Sequence, residues 1–394
     1  MNLELQALAA RLGITDYPEA LEPVFEAMRK EGTTVDAPKT IEALHMEFEP
    51  FGTYYDFLLR GAKAIQQDEA LLTWITLGIL YCTDASEQEA AAFPLPPCDE
   101  SLARDAFPAL LLALEFPETV KRYRTRGFDD AQIQKYLGSL AGTLRVHELT
   151  QGRVTLSKGL YTWMTHYTKA RIFDCMGFNF QITKWRDEAM LLKHRDRNEY
   201  AFLMLKGSFT ADGAVAGIRG AEEIPPLFEA TVEETDDAFL GYRANGQHVN
   251  TVRERFDKRE WEAVLRTGDN IINFHIPRGA DFTPAHVENA IAEGARLIAR
   301  YYPEFPATYT VCTSWMLDPK LLDVLPEQSK IAHFIRHFLL HPSGDTAGNG
   351  CMSYVWPGES GDIAALSENT SLQRGIKSMM LRDKFIFWTT GVWL

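Results

Sequence analysis

The stretch Asn270-Ile271-Ile272-Asn273-Phe274-His275-Ile276-Pro277-Arg278-Gly279-Ala280-Asp281-Phe282-Thr283-Pro284, carried on to Pro319, decides how the whole chain is read. Its first seven residues are a β-branched and aromatic run, broken by Pro277 to Phe282. Thr283 then offers an N-cap hydroxyl, and Pro284 falls at the first helical position, where its missing N–H is not needed. Val287, Ala290, Ile291, Gly294, Leu297, Ile298 and Tyr301 follow at helical spacing. Pro303 and Pro306 stop the helix, Ala307 to Trp315 reads as a second strand, and Leu317-Asp318-Pro319 closes it. A strand–loop–helix–strand unit sets the helix N-terminus at the carboxyl end of the first strand. Free N–H groups and the positive end of the helix dipole gather there, which suits an anion such as a pyrophosphate.

Working outward, the residues before this unit divide by period. Positions 1 to about 148 carry helical stripes at Leu5, Leu8 and Leu12, at Leu21, Val24, Phe25 and Met28, at Ile41, Leu44 and Phe48, at Tyr54, Phe57 and Leu58, and from Leu71 to Leu80. Ala91 to Pro97 is a proline-rich loop, and Ala106–Phe116 and Asp129–Leu140 complete this half. Ser157 to Tyr167 is a further amphipathic helix. The period then falls to two, predicting strands over Arg171–Ile182, Glu199–Leu205, Leu227–Glu233 and Ala238–Arg243, the last leading into an Ala244-Asn245-Gly246 hairpin turn. Asp257 is expected to cap a short helix bearing Trp261, Val264 and Leu265. Beyond the central unit, Ile331 to Leu340 alternates as a strand that Cys351 to Trp356 can pair. Ser371 starts a last helix, and Phe385 to Leu394 ends the chain as an apolar strand or tuck. The expected architecture is α+β (mixed α/β): a helical domain over 1–148, then over 149–394 an antiparallel meander, a parallel βαβ unit and a terminal hairpin.

Three phrases carry a family likeness: Phe274-His275-Ile276-Pro277-Arg278-Gly279, Cys312-Thr313-Ser314-Trp315-Met316-Leu317-Asp318-Pro319, and Thr370-Ser371-Leu372-Gln373-Arg374. In order and spacing the chain resembles a group of bacterial acyltransferases. These join a helical N-acyltransferase N-terminal domain to a C-terminal domain like the general N-acetyltransferase (GNAT) fold. The likeness covers most of the chain and is sharpest from Arg171 onward. It implies acetyl-CoA or another acyl-CoA as donor and a small amine or peptide amine as acceptor. The donor would lie where two central parallel strands splay, here 270–276 and 307–315. GNAT enzymes usually hold the CoA pyrophosphate with an Arg/Gln-x-x-Gly-x-Gly/Ala loop. This chain has Arg278-Gly279-Ala280-Asp281 instead, which shifts the glycine spacing and adds a repulsive carboxylate.

The candidate cofactor residues are therefore Arg278, Gly279, Ala280 and Thr283, with Gln373 and Arg374 as secondary phosphate donors. His275, near the end of the first parallel strand, is a candidate base because imidazole titrates near neutrality. Ser314 and Asp318 line the same expected cleft. An ordinary βα turn, a hydrogen-bonded strand histidine and a solvated Arg374 are the plain structural alternatives. Cys312 lacks a nucleophile elbow and reads as a small buried hydrophobe. His333 and His337, taken as strand residues, would lie too far apart to chelate one ion, and no metal is expected. The Glu233, Glu234, Asp236 and Asp237 run is a solvated turn, or a rim attracting a basic substrate.

Composition narrows the function classes. Hydrophobic residues at 46% and charged residues at 24% suit a globular protein, and 394 residues suffice for two or three cores. A formal charge of −14 argues against a broad nucleic-acid-binding face. Residues 121–135 hold a local excess of bases, but a packed helical hairpin explains their spacing without a recognition helix. Met1 to Gly13 is unlike a signal peptide, and Leu71 to Cys82, the longest apolar stretch, is too short to span a bilayer. Five scattered cysteines fit reduced thiols, so a cytoplasmic setting is expected, with no membrane partner. Two functions follow: an acyl-CoA-dependent N-acyltransferase, or a non-catalytic module of the same fold that senses a ligand or binds a protein. The altered glycine loop is the sequence sign of the second.

Overall fold

The computed structural model describes residues 2–348, 350–359 and 361–394. The chain divides into two compact units after Phe173. Described elements of the first unit are helical up to the strand that opens at Ile172. Its helices begin on capping side chains: Asp68 accepts from the Ala70 and Leu71 N–H groups, and Asp129 with Gln132 forms a reciprocal capping box. Helix Leu102–Leu114 is the centre, since every residue from Asp105 to Leu114 is buried. A helix that is apolar all round must be enclosed on all sides. The helix Ser139–Gln151 runs across position 148, and Lys158–Thr168 also belongs to this unit.

The second unit is built on a six-stranded sheet. Its order is Ile172–Cys175, Phe178–Lys184, Asn270–His275, Tyr309–Ser314, Thr389–Trp393 and Phe338–Pro342. Asn270–His275 and Tyr309–Ser314 are parallel; the described pairings on either side of them are antiparallel. Helix Pro284–Tyr301 connects the two parallel strands and buries Val287, Ala290, Ile291, Gly294, Ile298 and Tyr301. A five-stranded antiparallel sheet runs His248–Val249, Arg243–Asn245, Tyr200–Met204, Ala189–His194, Trp261–Leu265. Trp185, Leu191, Phe202, Ile271, Val311 and Val392 lie in one buried cluster that joins the two sheets. The fold is α+β, as the period change predicts.

Several local expectations are corrected. Arg171–Ile182 is a hairpin, not one strand, because Met176 at φ 53° and Gly177 at φ 83° form a two-residue turn. Positive φ at both central positions matches the twist of the flanking strands. Leu227–Glu233 contributes only Phe228–Glu229 before the short strand Glu233–Glu234 begins. Trp261–Leu265 is a strand, and Asp257 binds the Arg259 N–H instead of capping a helix. Ile331–Leu340 splits into helix Lys330–Arg336 and strand Phe338–Pro342. Ser329 caps that helix through the Ala332 N–H; buried Ala332 and Phe334 fit alternation too, but Ile335, also buried, fits only the helix. Cys351–Trp356 contains one helical turn, and the strand that pairs Phe338–Pro342 is Thr389–Trp393.

Candidate functional site

The two parallel strands pair over only three positions, Ile271 with Tyr309, Ile272 with Thr310 and Asn273 with Val311. Beyond these the first strand continues to His275 paired only on its other side, with Phe178–Lys184. The second continues to Ser314 paired only with Thr389–Trp393. The ladder between them therefore stops short of their carboxyl ends, where every second residue turns its backbone N–H and C=O toward the interrupted edge.

Side chains alternate along the first strand. Phe274 packs on Phe178 and Phe180 with ring centroids 4.7 and 5.4 Å apart. Asn273 and His275 project from the opposite face, where both reach one acceptor. His275 Nε2 lies 2.8 Å from Gln181 Oε1, and Asn273 Nδ2 donates to the same oxygen at 3.4 Å. Donation to a carbonyl oxygen places the imidazole proton on Nε2 and makes Nδ1 the basic nitrogen. Gln181 is buried, and sequence reasoning missed it. In sequence it is one of the alternating polar positions Asn179, Gln181 and Thr183, and its meeting with His275 is visible only once the hairpin sets the register.

At the end of that strand the loop turns through Gly279 at φ 82°, where an added Cβ would meet open space. Glycine is there for backbone conformation, not for lack of room. Arg278 is exposed, with no ion-pair partner among the described residues. Phe282 anchors the loop edge-on against Phe178 and Phe334. Thr283 does not cap the helix with its hydroxyl. That hydroxyl instead donates to Asp281 at 2.7 Å and accepts from Lys330 at 2.9 Å. Asp281 also takes the Thr283 N–H and an ion pair from Lys330 at 3.2 Å. These bonds hold its carboxyl at about 2, below the usual range, the Thr283 hydroxyl contributing most.

The other predicted site residues have framework partners. Ser314 is buried and caps the following turn through the Met316 N–H at 3.1 Å. Asp318 is fully buried; its oxygens take the Lys320 N–H at 2.9 Å and the Phe387 N–H at 2.8 Å. Burial raises its pKa. Gln373 completes a capping box with Thr370 and donates to the Val355 carbonyl and the Ser367 hydroxyl. Arg374 donates to the Glu368 carbonyl at 2.8 Å. The structure thus groups Arg278, Gly279, Ala280 and Thr283 in one loop beyond His275, and commits Gln373 and Arg374 to the segment around 355–368.

Cys312 is buried, and burial pushes its thiol well up, away from nucleophilic use. Three of the four carboxylates in the acidic run are ion-paired: Glu233 with Arg253, Glu234 with Lys258 and Arg266, and Asp237 with Arg255. A cavity of about 280 Å³ lined by Lys184, Asn270, Pro306 and Tyr309 sits at the amino ends of the parallel strands, away from the splay.

This arrangement, a parallel pair splayed beside a helix-opening loop within a mixed sheet, defines a GNAT-like α+β domain. The chain belongs to the GNAT-like C-terminal domain family, whose model matches residues 180–393. No curated protein matches it. Among solved structures it is similar to an acyltransferase in complex with decanoyl-CoA, at 13% identity and TM-score 0.64, covering 98% of both chains. It is similar to the same extent to an acyltransferase with decanoyl-CoA and teicoplanin, at 14% identity, and to one with CoA and 10C-teicoplanin, at 15%. Both have TM-score 0.64 and 98% coverage of each chain. At such identity the likeness is one of fold, and it extends across both units. No described helix is long and apolar enough to cross a membrane.

Proposed function

We propose that the chain is an acyl-CoA-dependent N-acyltransferase working in the cytoplasm. The observation that carries this reading is the splay beyond Asn273 and Val311 next to the Arg278-Gly279 loop. It is supported by a whole-chain fold shared with acyltransferases whose structures hold decanoyl-CoA or CoA. The acyl-CoA pyrophosphate would meet Arg278 and the backbone N–H groups of Gly279 to Phe282, and the thioester would reach the gap between the strands. An unprotonated amine attacks the thioester carbonyl; the C–N bond forms, the C–S bond breaks, and CoA leaves as a thiolate that is reprotonated. A backbone N–H freed by the splay stabilises the developing oxyanion. His275, oriented by Gln181, takes the proton that the amine loses, directly or through a water. Ser314, Asp318, Gln373 and Arg374 support the frame around this site. The donor is an acyl-CoA longer than acetyl, and the acceptor an amine on a small molecule or peptide.

Calorimetric titration with acetyl-, octanoyl- and decanoyl-CoA tests the reading. Binding that strengthens with chain length and weakens in Arg278→Ala supports it. Absence of binding by every acyl-CoA would favour the ligand-sensing or interaction module, which the pinned Asp281 in the phosphate loop also fits.

A further inference from the structure

Because 330–336 is helical, His333 and His337 stand one turn apart on one face, with their Nε2 atoms 2.9 Å from each other. Glu288, in the second turn of helix Pro284–Tyr301, faces both. Its Oε1 lies 3.8 Å from His333 Nε2 and 3.7 Å from His337 Nε2. All three ligand atoms therefore fall within 4.8 Å of one another. Ligands about 2.0–2.1 Å from a tetrahedral zinc ion stand about 3.3 Å apart, and the observed separations bracket that value. The His337 ring is held by stacking on Trp393, with centroids 4.7 Å apart and planes 11° from parallel. Side-chain exposures of 44%, 32% and 50% for His333, His337 and Glu288 leave an entry path and room for water.

We infer that Glu288, His333 and His337 form a binding site for a divalent cation of the zinc class. Two imidazoles and a carboxylate select such an ion over magnesium or calcium, which prefer all-oxygen shells. Two Nε2 atoms 2.9 Å apart otherwise share a single proton, and a cation drawing on both lone pairs together with the carboxylate replaces it. Water fills the fourth position. The ion would tie the helix that follows the Arg278-Gly279 loop to the helix whose first residue, Lys330, already bonds Asp281 and Thr283. The site stands apart from the acyltransferase reading and does not depend on it.

The test is zinc titration of the full chain after removal of metals with EDTA, followed by calorimetry and by the visible spectrum of the cobalt form. One equivalent should bind, with the intense absorption of a tetrahedral cobalt site. His333→Ala and His337→Ala should each weaken zinc binding at least as much as the roughly 10–100-fold that losing an outer-shell partner costs. Glu288→Gln, at a half-exposed carboxylate, gives the same test should a histidine variant fold poorly. His248→Ala, at an exposed histidine on another sheet, should bind as wild type does. Absence of stoichiometric zinc binding, or binding unchanged in Glu288→Gln and His333→Ala, overturns the site.

Discussion

In the helical unit the buried charges are closed in on one another, whereas at the splay of the sheet unit the charged and polar groups are held at an opening. Glu115, 3% exposed, takes Arg122 at 3.0 Å and Lys169, and those cations also bond the carbonyls of Thr168 and Cys82. Asp105 is similarly clasped by Arg153. Every charge in these knots has a partner, so the knots serve to fix helix ends. At the splay, Arg278 has no ion-pair partner among the described residues and the parallel ladder stops short. Buried ionic groups that are fully satisfied mark framework, while unspent donors beside an interrupted ladder are what the proposed acyl-CoA site would draw on.

The comparison breaks most easily at Glu115. Glu115→Ala leaves Lys169 and Arg122 without their carboxylate in a buried setting and is expected to cost about 3–5 kcal/mol of stability, the range for breaking a buried pair. Urea unfolding followed by circular dichroism measures it. A loss within experimental error would mean that water reaches the knot and that it is no framework.

Asp318 carries the same argument into the sheet unit. Asp318→Ala orphans the buried Phe387 N–H and should cost about 1–3 kcal/mol. Its pH dependence is a sharper test. Burial raises the folded-state pKa, so between the ordinary carboxylate value near 4 and the raised one the folded protein binds more protons than the unfolded chain. The stabilisation is present at low pH and fades as pH rises through the raised value. Wild type should therefore lose stability relative to Asp318→Asn as pH rises from about 4. A difference independent of pH would place Asp318 in contact with water and return it to the list of reactive groups.

These two residues also show what the sequence carries. Helical stripes in the first half and the strand–loop–helix–strand unit at 270–315 are repeated local patterns, and they were legible. Asp318 was read as a cleft carboxylate because its partner, the Phe387 N–H, comes from the segment leading into strand Thr389–Trp393, 69 residues further on. Gln181 was hidden for the same reason, since its meeting with His275 depends on hairpin register. The errors at 261–265 and 331–340 fall on short apolar runs, where alternation and helical spacing share most of their positions. Sequence placed the strand, helix and strand between 270 and 315 well, but the partners of their side chains are long-range and were not legible.

At the proposed acyl-CoA loop, Arg278→Ala should weaken acyl-CoA binding by about 1–3 kcal/mol, the cost of losing a hydrogen bond to a charged group. Its fold should be untouched. Gly279→Val should do at least as much harm through the backbone, because φ 82° is strained for a β-branched residue even though the side chain has space. Tight binding unaffected by both changes would move the phosphate site elsewhere.

The smallest expected effect is at Asp281, where the two kinds of charge meet. Its carboxylate repels a phosphate, yet it also orders the loop through Thr283 and holds Lys330. Asparagine keeps the side-chain oxygen that accepts the Thr283 N–H, so the turn survives. It removes the negative charge and releases the Lys330 ammonium beside the loop. Both changes favour a phosphate, so Asp281→Asn should tighten acyl-CoA binding. Exposed pairs are weak, so the gain should be no more than about fivefold, and added salt should erase it within a Debye length of about 10 Å at 0.1 M. Since its carboxyl is held near 2, wild-type Asp281 stays ionised at every pH from about 4 upward, and the difference between the two proteins should be flat across that range. Titrations at low and high salt and at two pH values measure all three features. Weaker binding in Asp281→Asn would show that the Asp281–Lys330 pair shapes the loop for the ligand, making this charge framework like Glu115.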